Sequence, residues 1–404
     1  MSQQMTRPAD VYSPLYFLAS LGAGGLTVTF FMYLMFWIAH PGQPVPVFED
    51  ITAAFVGGGV TQQAMILASM FGIAIFGVLN LKYLFWNLSA FGRFRKTEAY
   101  KKLRNSNGES ALLAMPLALA MSVNVGFILG LVFVPGLWNV VEYLFPLAMV
   151  AFGLIGWLAF AQIADFLGRV LSKGGLFDVT AHNSFAQLLP AFALSMVAVG
   201  FAAPAAMSVT PLTVGASLII STFFGTAAIL YTVVAAITAF NSMLHYGTAK
   251  EAAPTLMVVV PIMTVLGIMA LRQFHGLHTT FESHTAAADT MMFLTRLLTI
   301  QILFAGLGLL VLRRQGYFSD FVFGAKTSPG SYALVCPGVA LNVMLHFWIN
   351  KGLVANGLIS EFGAAYFGLS ALAIALQIGM IALVITLNRQ HFHRSAAPKV
   401  VPAE

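Results

Sequence analysis

The chain has 404 residues, 59% of them hydrophobic and only 8% charged, with a formal net charge of +6 and a mean hydropathy of +0.86. A soluble domain carries about a quarter charged residues, so an ordinary water-soluble globule is excluded and most of the surface must face lipid. The single cysteine, Cys336, excludes an internal disulfide and a thiolate metal cluster. The basic surplus, which in a soluble chain would suggest nucleic acid, is read as membrane topology.

The opening stretch MSQQMTRPADVYSP lacks the charged-then-apolar pattern of a cleavable signal, so the first apolar run is expected to stay in the mature protein. Continuous apolar runs predict ten helical spans, at about 14–39, 62–91, 111–134, 140–167, 185–207, 211–240, 254–274, 290–312, 331–350 and 362–388. They form one all-α membrane domain over 14–388, with tails at 1–13 and 389–404. The runs do not alternate every second residue, which argues against a β-barrel.

Along the chain, the first span carries Gly22, Gly24 and Gly25, and the loop after it is PGQPVPVFEDITAAFVGGGV (41–60). The second contains Lys82, and the basic segment RFRKTEAYKKLRNSNGES (93–110) leads to the third, with Pro116, Ser122 and Asn124. Asp165 lies near the end of the fourth span. The fifth holds Pro190, Gln187 and Ser195, the seventh Pro261 and Thr264, and the loop HGLHTTFESHTAAAD (275–289) follows. The eighth contains Arg296, and the ninth Cys336, Pro337, Asn342, His346 and Phe347.

With the N-terminus placed inside, the inner segments hold Arg7, Arg93, Arg95, Lys96, Lys101, Lys102, Arg104, Arg169, Lys173, Lys250, Arg313, Arg314, Lys326, Arg389, Arg394 and Lys399. The outer ones hold only Arg272 and Lys351, beside Glu49, Asp50, Glu142, Glu282, Asp289 and Glu361. This asymmetry predicts cytoplasmic termini in a bacterial-type inner membrane.

Proline or clustered glycine falls within every odd-numbered span, whereas Pro146 and Pro211 of the even ones lie near span ends. Such residues are common in membrane helices. Their spacing here also predicts an inner ring of kinked odd helices, freed carbonyls facing a pore, with the uniformly apolar even helices against lipid. Asn124, Ser195, Thr264 and Asn342 would then line the path, where weak polar groups release an ion again; helix–helix hydrogen bonding is the other use for such residues. Lys82 and Arg296 are expected either to attract anions or to snorkel to the headgroups, and Lys82 could pair with Asp165; Arg272, Lys351 and Arg296, the cations near the outer face, could together draw small anions to an outer mouth.

No phosphate loop, GxSxG or HExxH is present, and buried carboxylates for acid–base work are few, so an enzyme is not expected. His275, His278, Glu282 and His284 share one loop, but their spacing matches no established metal motif. No two histidines fall at matched mid-membrane depth on separate helices, as a bis-histidine haem requires. Neither metal nor cofactor is expected.

With EAAPTLMVVVPIMTVLG (251–267) opening the seventh span and YALVCPGVALNV (332–343) on the ninth, the ten-span pattern resembles the tellurite-resistance/dicarboxylate transporter family, which includes the slow anion channels of plants and their bacterial homologues. The resemblance implies five helical hairpins in pseudo-fivefold arrangement, a pore of kinked odd-numbered helices closed by a phenylalanine on the ninth span, and a homotrimer. It implies small inorganic or organic anions as partners, with membrane lipid and no nucleic acid. Pore-lining positions would be Gly22, Gly25, Pro116, Asn124, Pro190, Ser195, Pro261, Thr264, Pro337 and Asn342. Where many relatives have an aromatic, this chain reads Val335-Cys336-Pro337, so the gate would pass to Cys336 itself or to Phe347, about three turns further out, with Phe223 or Phe224 on the sixth span as further alternatives. Two other functions fit the same topology: a quinone-interacting membrane subunit of a respiratory oxidoreductase, and a proton-coupled carrier of another solute.

Overall fold

The computed structural model describes residues 7–174, 178, 180, 181 and 183–393; Arg394 and Lys399, and the ends of both expected tails, lie outside them. Ten helices are long and apolar enough to cross a membrane: Pro14–Trp37, Val60–Phe94, Asn107–Phe133, Leu137–Lys173, Phe185–Met207, Pro211–Tyr246, Lys250–Phe281, Ala287–Arg314, Pro329–Val354 and Ala364–His393. At about 1.5 Å per residue each exceeds the roughly 30 Å of a hydrocarbon core. No strand occurs among the described residues. A helix satisfies its backbone groups within itself, which lipid demands, and the chain is a multi-pass membrane protein.

The spans divide by parity. The most apolar stretch of the first, fifth, seventh and ninth is 83, 94, 78 and 78% buried and that of the third 50%, whereas the even spans range from 22 to 39%. The first span packs on the third and the ninth, the third on the fifth, the fifth on the seventh, and the seventh on the ninth, so the odd spans touch in a closed cycle. Each even span packs against the odd span before it. The even spans turn large apolar side chains outward, among them Phe71, Leu154, Ile219, Leu303 and Ile378. Apolar surface of that extent has lipid as its natural solvent.

Lipid tails are as apolar as leucine, so burial alone cannot hold such helices together; close packing and hydrogen bonds must. Gly72 lets the second span meet Phe30, whose ring would lie 2.4 Å from an added Cβ, and at Gly276 an added Cβ would fall 2.3 Å from the Ala205 carbonyl oxygen. Asn80 donates to the Ser20 carbonyl at 2.8 Å while the Ser20 hydroxyl donates to the Asn80 carbonyl at 2.9 Å, tying the first hairpin. Gln301 bridges the seventh and eighth spans through the Val260 carbonyl (2.9 Å) and the Thr264 hydroxyl (2.5 Å).

Each odd span opens with a 3-10 segment (Pro14–Tyr16, Asn107–Leu113, Phe185–Leu188, Lys250–Met257, Pro329–Leu334) before becoming α-helical. The prolines follow at once. Pro116, Pro190, Pro261 and Pro337 stand at the second or third residue of α segments beginning at Ala114, Leu189, Val259 and Val335. There a missing N–H costs little, so the expected mid-helix kinks are replaced by a change of helix type at the entrance.

On the face that carries the termini, Glu109 is buried and held by both Arg169 (2.6 Å) and Arg104 (2.9 Å). Asp165 binds the same two arginines, so the pair that Lys82 could have made with it does not form. The helix of the tenth span continues to His393, beyond the expected end at 388. His391, expected in a free tail, is buried with Nδ1 2.9 Å from the Tyr16 hydroxyl.

Candidate functional site

A cavity of about 1050 Å³ lies among the odd spans, and all five line it. Its mouth is on the face opposite the termini, where exposed His275, His278, His284, Lys351 and Glu361 surround it. The deepest lining residues are Leu21, Met121, Phe192, Pro261 and Cys336. One turn beyond them, Phe17, Leu117, Leu188, Val258 and Tyr332 belong to a single buried cluster and do not line it. The cavity is a blind vestibule with an apolar floor.

Each odd helix presents one stripe to this space. On the ninth span it is Cys336, Val339, Ala340, Val343 and Phe347, spaced by three and four residues as a helix face must be. The stripe passes on to Asn350, Lys351 and Val354, which lie on a π-helical segment, Trp348–Val354. On the fifth it is Phe192, Met196, Val199, Gly200 and Ala203.

Of the sequence-derived positions, Gly22, Gly25, Asn124, Pro261, Thr264, Cys336 and Phe347 line the cavity. Pro116, Pro190, Ser195, Pro337 and Asn342 do not. Pro337 is one residue off the ninth-span stripe, and Asn342, also off it, turns its amide to the Ala373 carbonyl of the tenth span (2.7 Å). Ser195 bonds back to the Phe192 carbonyl of its own helix at 2.8 Å. Pro190 borders a small separate pocket with Glu109 and Tyr231, and Pro116 lies below the floor. Glycine on the first span has a packing reason: an added Cβ at Gly22 or Gly25 would fall 3.0 or 2.7 Å from Val335 or Val339.

Lys82 and Arg296 are exposed on the outer sides of even spans, away from the cavity, and neither forms an ion pair among the described residues. The charge inside is Arg272. Its helix does not end near it but runs on to Phe281, nine residues or roughly 14 Å further, so the guanidinium sits within the seventh span. Nη1 donates to the Val199 carbonyl at 2.7 Å. No carboxylate pairs with it among the described residues, and it has no other hydrogen bond there, although a guanidinium has five donors. Of the charged residues lining the cavity, Lys351 and Glu361 are exposed at the mouth while Arg272 is partly buried. In the sequence Arg272 stands three residues before His275 and counts, with Lys351 and Arg296, among the cations of the outer face; the structure carries its helix on to Phe281.

Phe192 was missed. It supplies an aromatic side chain at the deep end of the cavity from the fifth span, where Cys336 lines it from the ninth. Phe347 stands higher, its ring centroid 5.3 Å from that of Phe36 and edge-on to it. Behind this pair, His346 is fully buried against Tyr33 and Phe36 and neither ring nitrogen has a hydrogen-bond partner among the described residues.

At the mouth, the Nδ1 atoms of His278 and His284 lie 3.1 Å apart. Among the described residues no three histidine, cysteine or carboxylate groups gather closely enough to hold a metal ion. No protein-family model matches the chain, and no curated protein matches it either.

Proposed function

We propose that this protein is a channel or transporter for anions, of the type represented by the tellurite-resistance/dicarboxylate transporter family. In this reading the five hairpins stand in pseudo-fivefold order around a central pore, the termini are cytoplasmic, and the vestibule opens to the outside of an inner membrane. The closed cycle of contacts among the odd spans supports the arrangement, and the concentration of Lys and Arg on the loops of the terminal face supports the orientation. The assembly would be a homotrimer, on resemblance alone.

The observation that carries the anion reading is Arg272: a cation in a largely apolar cavity without a carboxylate partner among the described residues. An unneutralised charge at membrane depth is costly and marks a substrate path, and a positive site selects anions. Thr264 and Asn124 line the same space deeper down, the Thr264 hydroxyl donating to the Ala340 carbonyl at 3.0 Å and the Asn124 amide to the Ala120 carbonyl at 3.1 Å. Leu21, Met121, Phe192 and Cys336 form the closed gate, which dewetting would seal.

The test is anion flux into liposomes holding the purified protein at a set membrane potential, comparing chloride, nitrate, sulfite and malate with and without a pH gradient. Potential-driven anion movement supports the reading. Absence of flux for every anion, with haem or quinone absorbance in the same sample, transfers the protein to the respiratory class.

A further inference from the structure

The vestibule is larger and more apolar than an inorganic ion requires. Its volume of about 1050 Å³ is at the upper end of pockets that enclose organic ligands, roughly 300–1000 Å³. A path for a hydrated ion is narrow or polar along its length. Here polar groups are confined to the mouth, to Asn124 and Thr264, and to Arg272.

The apolar surface also has a direction. The cavity reaches past the odd spans to the fourth, whose Phe145, Ala148 and Phe152 line it. The Phe152 ring packs on the bare Cα of Gly200, where an added Cβ would lie 2.2 Å from it. The residue before that glycine is Val199, whose carbonyl holds Arg272 at 2.7 Å. Adjacent residues of the fifth span thus hold Arg272, through the Val199 carbonyl, and meet Phe152, at Gly200. A small anion uses only the first; the second is complementary to a hydrocarbon body attached to the anionic group.

Resting on the anion reading above, we infer that the preferred ligand of this cavity is an amphipathic organic monoanion, a carboxylate with an apolar tail or ring. Its head pairs with Arg272 and its body lies against Phe152 and Phe145. One cation supports one negative charge at depth, so a monocarboxylate is favoured over a dicarboxylate, whose second charge would be buried against phenylalanine without a partner. Binding then rises with tail length, by about fourfold for each methylene taken from water.

Equilibrium binding of radiolabelled hexanoate to the protein in lipid nanodiscs, with empty nanodiscs as background, tests this. Competitors are acetate, butyrate, octanoate, 1-hexanol, nitrate and malate. The expected result is saturable binding, with butyrate weaker than hexanoate by about tenfold or more and malate and 1-hexanol both weaker than hexanoate. Arg272→Gln is expected to abolish the preference for hexanoate over 1-hexanol, and Arg272→Lys to keep it. Because the chain-length series uses the unaltered protein, it stands even if a variant misfolds. Displacement of hexanoate equally well by nitrate, acetate and octanoate would overturn the inference while leaving the anion site intact. Failure of every anion to bind or compete would overturn the anion reading itself.

Discussion

At the scale of single residues, position on the helix circumference decides which polar groups can act. Ser195 and Met196 are neighbours in sequence, yet only Met196 lines the cavity. Arg272 has one hydrogen bond, to a carbonyl, so most of its donors are free for an anion. A charge-assisted hydrogen bond contributes about 1.5–3 kcal/mol. Arg272→Gln is therefore expected to reduce anion flux by about ten- to a hundredfold, with Arg272→Lys intermediate, in the liposome assay. His346 gives the opposite sign. Its buried imidazole lacks partners for both nitrogens among the described residues, and an unsatisfied buried polar group costs about 1–3 kcal/mol. His346→Leu is expected to raise the thermal unfolding midpoint of the detergent-solubilised protein; a lowered midpoint would show that the imidazole has a stabilising partner. Lys82 and Arg296 were conspicuous in the sequence because charge in an apolar run is rare. Rarity says nothing of which side of a helix the charge is on, and both are on the outside.

At the scale of elements, the ten spans and their parity were legible because apolar length and proline placement are local properties. The starting residues came within several positions of the observed ones, while the fourth, sixth, seventh, ninth and tenth helices ran four to seven residues further than expected. The extension of the seventh helix to Phe281, past the expected end at 274, is polar, so hydropathy ended too early there. The cavity floor was not legible at all: Leu21, Met121, Phe192 and Cys336 come from four separate spans and no pairwise spacing connects them. The floor has a direct consequence. Phe192→Ala is expected to raise anion flux severalfold by shortening the apolar barrier, and Cys336→Phe to lower it, both read as initial rates in liposomes at matched protein density. Between the eighth and ninth spans, Asp320 receives Lys250 at 3.0 Å and Lys326 at 2.8 Å. Hydrogen bonds from these two ammonium groups hold its carboxyl below the usual carboxylate value. A depressed carboxyl stabilises the fold above its unfolded value, and that contribution disappears as pH falls through the depressed one. Asp320→Asn is expected to lower thermal stability at neutral pH, with the difference from wild type shrinking below about pH 3.8 and gone only once the pH has passed the depressed native value.

At the scale of the molecule, one plan accounts for burial, composition and charge. Five inner helices surround a vestibule, five outer helices shield them from lipid, and Arg272, the one internal cation among the described residues, stands where the vestibule is still accessible from its mouth. Small residues allow the inner helices to approach, as Gly22 and Gly25 do beside Val335 and Val339. The apolar outer faces require a membrane around them. The central claim is that anions travel through this inner space rather than along the periphery. It is tested most directly by blocking potential-driven nitrate flux with an anionic thiol reagent in a Cys336→Ala background. One new cysteine replaces Thr264, which lines the cavity, and another replaces Val150, which faces outward. The account expects modification at 264 to stop the flux and modification at 150 to leave it unchanged. Undiminished flux after complete labelling at 264, or block from 150, would contradict it.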